Sequence, residues 1–260
     1  MDKDITELVA SAQTAELTPE LTSTLISLID LTSLAETDSS ASIAKLCEKA
    51  VTPPVSVAAV CVYPRFVNQA KALLASTSVK IATVANFPQG NASQAMVIAE
   101  IAQAVADGAD EIDVVTNYRA YQENRSETLV EFLTACKQAC QAARLKVILE
   151  TGALTAAQIV KASEDAIAAG ANFIKTSTGK IAIGATLEAA ASMLLTIKAS
   201  GKTVGFKASG GIRTPEQAAS YLKLAELILG KDYLSPQTLR FGASGLLDAL
   251  LTNSNQPSAY

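Results

Sequence analysis

LKVILETGALTAAQIVKASEDAIAAGANFIKTS, residues 145–177, decides the fold. Its ends, LKVILET (145–151) and NFIKTS (172–177), are short runs rich in apolar and β-branched residues. Between them, AAQIVKASEDAIAAGA (156–171) repeats apolar residues at three- and four-residue spacing and closes near Gly170. Strand, glycine-stopped helix and strand read together as a βα repeat in a parallel sheet.

The same alternation extends in both directions. Further strand-like runs are SLIDLT (27–32), VAAVCVY (57–63), VKIATVANF (79–87), DEIDVVTN (110–117), TVGFKAS (203–209) and TLRFGAS (238–244). Helical periodicity fills the gaps, as in residues 92–109 and 214–229. DGADEID (107–113) and AGANFIK (169–175) use one helix-stop, strand-start phrase twice. Eight βα units in 260 residues favour a single closed (β/α)8 TIM barrel over an open doubly wound sheet. The expected organisation is one domain over residues 1–260, with a helical extension over residues 1–22 and a flexible tail over 252–260.

Composition narrows the function. The net charge is −4 and no block of Lys and Arg stands out, which argues against nucleic-acid binding. No apolar run is long enough to span a membrane, and the acidic amphipathic start does not resemble a signal peptide. A cytoplasmic protein is expected. The chain has four cysteines, no CxxC pair and no histidine, so a Cys/His zinc site is not expected. Cys136 and Cys140 read as buried small hydrophobes. Without histidine, proton transfer falls to Asp, Glu, Lys, Tyr, Cys or water.

In a barrel, catalytic groups come from the C-terminal ends of strands. Lys175 and Lys207 sit in otherwise apolar runs on consecutive strands. Strands lie about 4.8 Å apart, so matching inward lysines would be close neighbours. The like charge would disfavour protonation of one, giving a nucleophilic amine at Lys175 beside a charged Lys207. Snorkelling to the rim is the plainer reading of either lysine. Alternation in DEIDVV places Glu111, Asp113 and Val115 on one face. Asp113 is then either a proton carrier or a structural counter-ion for the lysines. Thr178-Gly179-Lys180, Ser209-Gly210-Gly211 and Gly242-Ala243-Ser244-Gly245 follow three late strands. Thr214, Pro215 and Gln217 read as N-cap, N1 and N3 of a helix. Gly-rich loops after strands 7 and 8 suit a phosphate.

LIDLTSL (28–34), VCVYPRF (60–66), ATVANFPQG (82–90), GADEIDVV (108–115), LKVILETG (145–152), FIKTSTGK (173–180), VGFKASGGIRT (204–214) and RFGASGLL (240–247) closely resemble the 2-deoxy-D-ribose-5-phosphate aldolase family. The resemblance runs from residue 28 to Tyr260. It implies a metal-free, cofactor-free class I aldolase that cleaves 2-deoxy-D-ribose 5-phosphate to D-glyceraldehyde 3-phosphate and acetaldehyde. It implies Lys175 as the Schiff-base lysine, Asp113 and Lys207 as proton-transfer partners, and Tyr260 as a proton relay. Gly179, Lys180, Gly210, Gly211, Gly242, Ser244 and Gly245 would line the phosphate site. Asp30, Thr32, Cys61 and Thr176 match positions near the sugar. Some members carry Ser-Ser where this chain has Ser244-Gly245, which would weaken phosphate binding here.

Partners are then a phosphosugar and an aldehyde, with a homodimer as the simplest assembly. An aldolase for another phosphosugar, a non-catalytic phosphosugar-binding barrel and a carboxylate-based isomerase are the alternatives. The last two leave the paired lysines without a purpose.

Overall fold

The structure, a computed structural model, describes residues 4–52 and 55–254. Eight strands close a barrel in sequence order: β1 (Ile29–Thr32), β2 (Ala59–Val62), β3 (Lys80–Ala85), β4 (Glu111–Val115), β5 (Arg144–Ile148), β6 (Phe173–Lys175), β7 (Gly205–Ser209) and β8 (Leu239–Ala243). Every neighbouring pair is parallel, and β8 pairs with β1 to complete the ring. The helices are α1 (Ile5–Ala12), α2 (Pro19–Ser27), α3 (Ser40–Ala50), α4 (Val67–Leu73), α5 (Gln94–Ala106), α6 (Tyr118–Gln122), α7 (Leu129–Ala139), α8 (Ala156–Ala168), α9 (Leu187–Ser200), α10 (Pro215–Leu229) and α11 (Leu246–Ser254). Among the described residues, no helix is long and apolar enough to cross a membrane.

Local chemistry explains the boundaries. Thr155 and Thr214 open α8 and α10 with capping boxes closed by Gln158 and Gln217, and Pro215 takes the first turn of α10 as its sequence suggests. The start of the chain is helical, as expected ahead of the first strand. It forms α1 and then α2, which runs on to Ser27. Pro19 is the reason for the second helix: the residue before a proline is pushed out of the helical region, and Thr18 caps the new helix through Leu21 N–H. At the other end α11 continues through Thr252 to Ser254, inside the stretch expected as tail; Thr252 Oγ1 donates to Asp248 O one turn back. Tyr260 lies outside the described residues.

The main apolar core is a shell between barrel and helices. Outward strand residues such as Leu31, Val60, Ile112, Val147, Ile174 and Phe206 meet Val97, Ile101, Leu133, Leu194 and Leu224 from the helices. Cys136 and Cys140 are buried in that shell, as small apolar residues would be. Inside the barrel, a small cluster of Ala59, Cys61, Ala82 and Val84 fills the β2–β3 side. The remaining interior carries charged side chains, with the Phe173 ring against Lys146 and Arg240 and a second apolar cluster of Val115, Tyr118 and Ile148.

Candidate active site

Alternation along the strands turns Asp30 (β1), Glu111 and Asp113 (β4), Lys146 (β5), Lys175 (β6), Lys207 (β7) and Arg240 (β8) into one buried network. Parallel register brings Lys175 beside Lys207, Asp113 beside Lys146, and Lys207 beside Arg240. Asp113 Oδ2 accepts from Lys175 Nζ and from Lys207 Nζ, each at 2.8 Å. Its Oδ1 accepts from Lys146 Nζ at 3.0 Å. Asp30 Oδ2 accepts from Lys207 Nζ at 2.5 Å and Lys146 Nζ at 3.2 Å, while Oδ1 accepts from Arg240 Nη1 at 2.5 Å. Glu111 closes the base of the network with Arg240 Nη2 at 2.9 Å and with Lys146.

The electrostatics separate the lysines. Burial pulls the Lys175 amine down, Asp113 pulls it up, Lys207 pulls it down, and the net direction is below an ordinary lysine. Burial opposes charge at Lys207 and Lys146 as well, but Asp113 and Asp30 outweigh it and hold both ammoniums above their ordinary value. Burial would raise the carboxyls of Asp113 and Asp30, yet the surrounding cations keep both well below the carboxylate range. Charge counting gives the same answer. Lys146, Lys207 and Arg240 balance Asp30, Glu111 and Asp113, so Lys175 is the member whose proton the network does not need. An apolar strand and a neighbouring lysine are both causes that the sequence suggests; in the structure burial is the larger and Lys207 adds to it.

Lys175 opens into a cavity of about 390 Å³ at the C-terminal mouth of the barrel. Thr32, Gly179, Lys180, Gly210, Gly211, Gly242, Ser244 and Gly245 line it, as does Arg213, to which the sequence reading gave no role. Gly210 and Gly211 both have left-handed φ, +83° and +87°, which suits glycine and lets the chain turn tightly above β7. α11 begins directly after Ser244-Gly245. Lys180 Nζ donates to Leu34 O at 2.6 Å and so ties the loop after β6 to the loop after β1.

Of the expected sugar-side residues, Thr32 lines the cavity and Asp30, Cys61 and Thr176 are buried. Asp30 and Cys61 are fully buried below the mouth, with Asp30 engaged by the cations. Burial raises the Cys61 thiol. Thr176 is also buried; its hydroxyl donates to Ser209 O and accepts from Ser209 N–H, stitching β6 to β7. Asp113 binds Lys175 directly, and Lys207 lies beside Lys175 at the same register and shares that carboxylate oxygen. Lys146, Arg240 and the task of Glu111 escaped the sequence reading. The signal was present: LKVIL and LRF each place a cation in an apolar strand, as FIK and FKA do.

A family model described as DeoC/LacD family aldolase matches residues 24–251. The chain is 50% identical over 229 residues to the deoxyribose-phosphate aldolase of Agrobacterium fabrum (strain C58), covering 87% of this chain and 88% of that one. The crystal structure of a candidate deoxyribose-phosphate aldolase from Coccidioides immitis aligns with TM-score 0.82 at 28% identity, covering 97% of this chain and 98% of that one. A further candidate from Toxoplasma gondii ME49, in its apo form, aligns with TM-score 0.83 at 25% identity, covering 92% and 98%.

Proposed function

Given that this chain belongs to the DeoC/LacD family of aldolases, we propose that it reversibly cleaves 2-deoxy-D-ribose 5-phosphate to D-glyceraldehyde 3-phosphate and acetaldehyde, with Lys175 as the Schiff-base lysine. One observation carries the assignment of the lysine. Lys175 is the cation of the interior network that opens into the cavity, and its basicity is lowered.

The neutral Lys175 amine attacks C1 of the open-chain sugar, and loss of water leaves an iminium. Removal of the C3 hydroxyl proton breaks the C2–C3 bond. Its electron pair moves into the iminium, giving an enamine and releasing D-glyceraldehyde 3-phosphate. Protonation of the enamine carbon and hydrolysis then release acetaldehyde and restore the amine. Lys207 is held as a proton donor and Asp113 as an acceptor, and both contact Lys175 or its counter-ion. They pass protons to and from substrate directly or through water. The glycine loops and Lys180 hold the phosphate away from the reacting bond, so its binding energy serves orientation. Tyr260, outside the described residues, is proposed as a further proton relay. Cytoplasmic location and a homodimeric assembly complete the proposal; the four cysteines, all buried as free thiols, suit a reducing compartment.

Borohydride reduction in the presence of 2-deoxyribose 5-phosphate, followed by peptide mass spectrometry, tests this reading. The expected result is a reduced adduct on Lys175 that Lys175→Leu abolishes. An adduct on Lys207 would reverse the two lysine roles, and active protein that traps nothing would refute the Schiff-base reading.

A further inference from the structure

Glu150 is a fully buried carboxylate to which the chemistry above gives no task. It follows β5 with left-handed backbone angles, φ 60° and ψ 56°, which non-glycine residues seldom adopt. No cation stands within ion-pair distance of it among the described residues; burial raises its carboxyl, and the donors of Thr178 pull it down. Two costly features in one residue persist where the surroundings hold them, and such positions gather at functional sites.

What Glu150 holds is the loop after β6. Its Oε1 accepts from Thr178 N at 3.2 Å, and its Oε2 accepts from Thr178 Oγ1 at 2.5 Å. With its proton committed to Glu150, the Thr178 hydroxyl accepts from Lys180 N at 3.0 Å. The turn Thr178-Gly179-Lys180 is therefore locked from below by one carboxylate. The same loop is pressed from the side by the turn that follows Glu150. A Cβ on Gly152 would fall 2.1 Å from Ile183 O, so that backbone contact admits only glycine. Further on, Ala185 N donates to both Ser209 O and Gly210 O, which joins the loop to the glycine pair above β7. Glu150 thus bonds directly to Thr178, whose turn with Gly179 and Lys180 forms part of the cavity wall.

We propose that Glu150 is a positioning residue for the phosphate end of the site, fixing the Thr178–Lys180 turn through Thr178 and so setting the preference for phosphorylated over unphosphorylated sugar. The assignment rests on the phosphosugar reading above. It makes an atom-level demand. Glutamine at this position offers one acceptor and one donor group. If its oxygen takes Thr178 N–H, its amide faces Thr178 Oγ1 with a proton, and the hydroxyl can only accept there, so its own proton loses the buried acceptor that Glu150 supplies.

The test compares wild type with Glu150→Gln on 2-deoxyribose 5-phosphate and on 2-deoxyribose, and measures binding of inorganic phosphate by calorimetry. The expected result is a KM for the phosphorylated sugar raised about 10-fold, with a matching loss in phosphate affinity. The kcat for that sugar and the kcat/KM for 2-deoxyribose stay within about 2-fold, a split that a merely structural role would not produce. Thr178→Val removes the hydroxyl from the other side and reads the same contact if Glu150→Gln fails to fold. It should give the same split, and combining the two changes should add little further loss. Equal losses on both sugars, or unaltered phosphate affinity, overturn the proposal. Wild type that binds phosphate yet cleaves neither sugar would sink the aldolase reading and leave the phosphate measurement to decide on Glu150. Wild type that binds no phosphate would overturn both.

Discussion

Replacing Lys146 with methionine should disable Lys175 without touching it. Lys146 and Lys175 bind opposite oxygens of Asp113 at 3.0 and 2.8 Å, which places the two nitrogens about 6 Å apart. At an effective dielectric of about 20, their mutual repulsion is about 3 kcal/mol. Lys146→Met removes it and leaves Asp30, Glu111 and Asp113 facing Lys207 and Arg240 alone. Lys175 then keeps its proton to restore neutrality. An energy of about 3 kcal/mol converts to a fall of up to about 100-fold in the neutral amine, and in the rate near pH 7. The sign is definite: the lost repulsion raises the Lys175 value, so the acid limb of the pH–rate profile moves to higher pH and activity recovers on the alkaline side. Methionine is also a poor neighbour for buried carboxylates, and a stability loss of several kcal/mol is expected, in the range of about 3–5 for an orphaned buried charge. The assay is kcat/KM against pH on protein shown to be folded by circular dichroism. A profile of unchanged shape, scaled down equally at every pH, would refute the charge-balance argument and leave Lys146 a purely structural ion.

Two other changes probe the site and its support. Gly245→Ser restores a hydroxyl at the cavity wall, and a Cβ there meets nothing within 4 Å. It should lower KM for the phosphorylated sugar about 2- to 10-fold and leave 2-deoxyribose unaffected, as steady-state kinetics on both would show. Gly205→Ala would bring a Cβ within 2.3 Å of Phe173 Cε1, in a ring that also meets Arg240 and Lys146. Overpacking there should cost about 1–3 kcal/mol and lower Tm by about 5 °C; an unchanged melting curve would show that the ring can yield.

The fold was legible because each unit repeats one message. Every strand-like run became a strand, and Thr214-Pro215 and Gln217 opened α10 as their chemistry requires. The lysine pair was legible because a cation is conspicuous in an apolar strand, and register made Lys175 and Lys207 neighbours. What stayed hidden depends on curvature and depth. Sequence gives the facing side of a strand but not which inward residues of distant strands meet across the axis. Lys146 reaches Asp30 and Arg240 reaches Glu111 only because the barrel closes. The extra N-terminal helix is present as α1, and Pro19 starts a second helix, α2, behind it. Glu150 was unreadable because its left-handed backbone and its bonds to Thr178 are announced by no residue pattern.

Asp30 and Arg240 are joined at 2.5 Å although 210 positions separate them in the chain. Lys207 and Asp113 bridge a further 94. Contacts of that span form late, since loop closure must precede them. A nascent or partly folded chain therefore holds Lys175 as an ordinary, protonated surface amine with no special appetite for aldehydes. The proposed nucleophile comes into being when the ring shuts and water leaves its interior. Reactivity is in this sense a readout of completed folding: chains that stall before β8 docks against β1 are chemically silent, and a cell making this protein is spared a stray reactive amine.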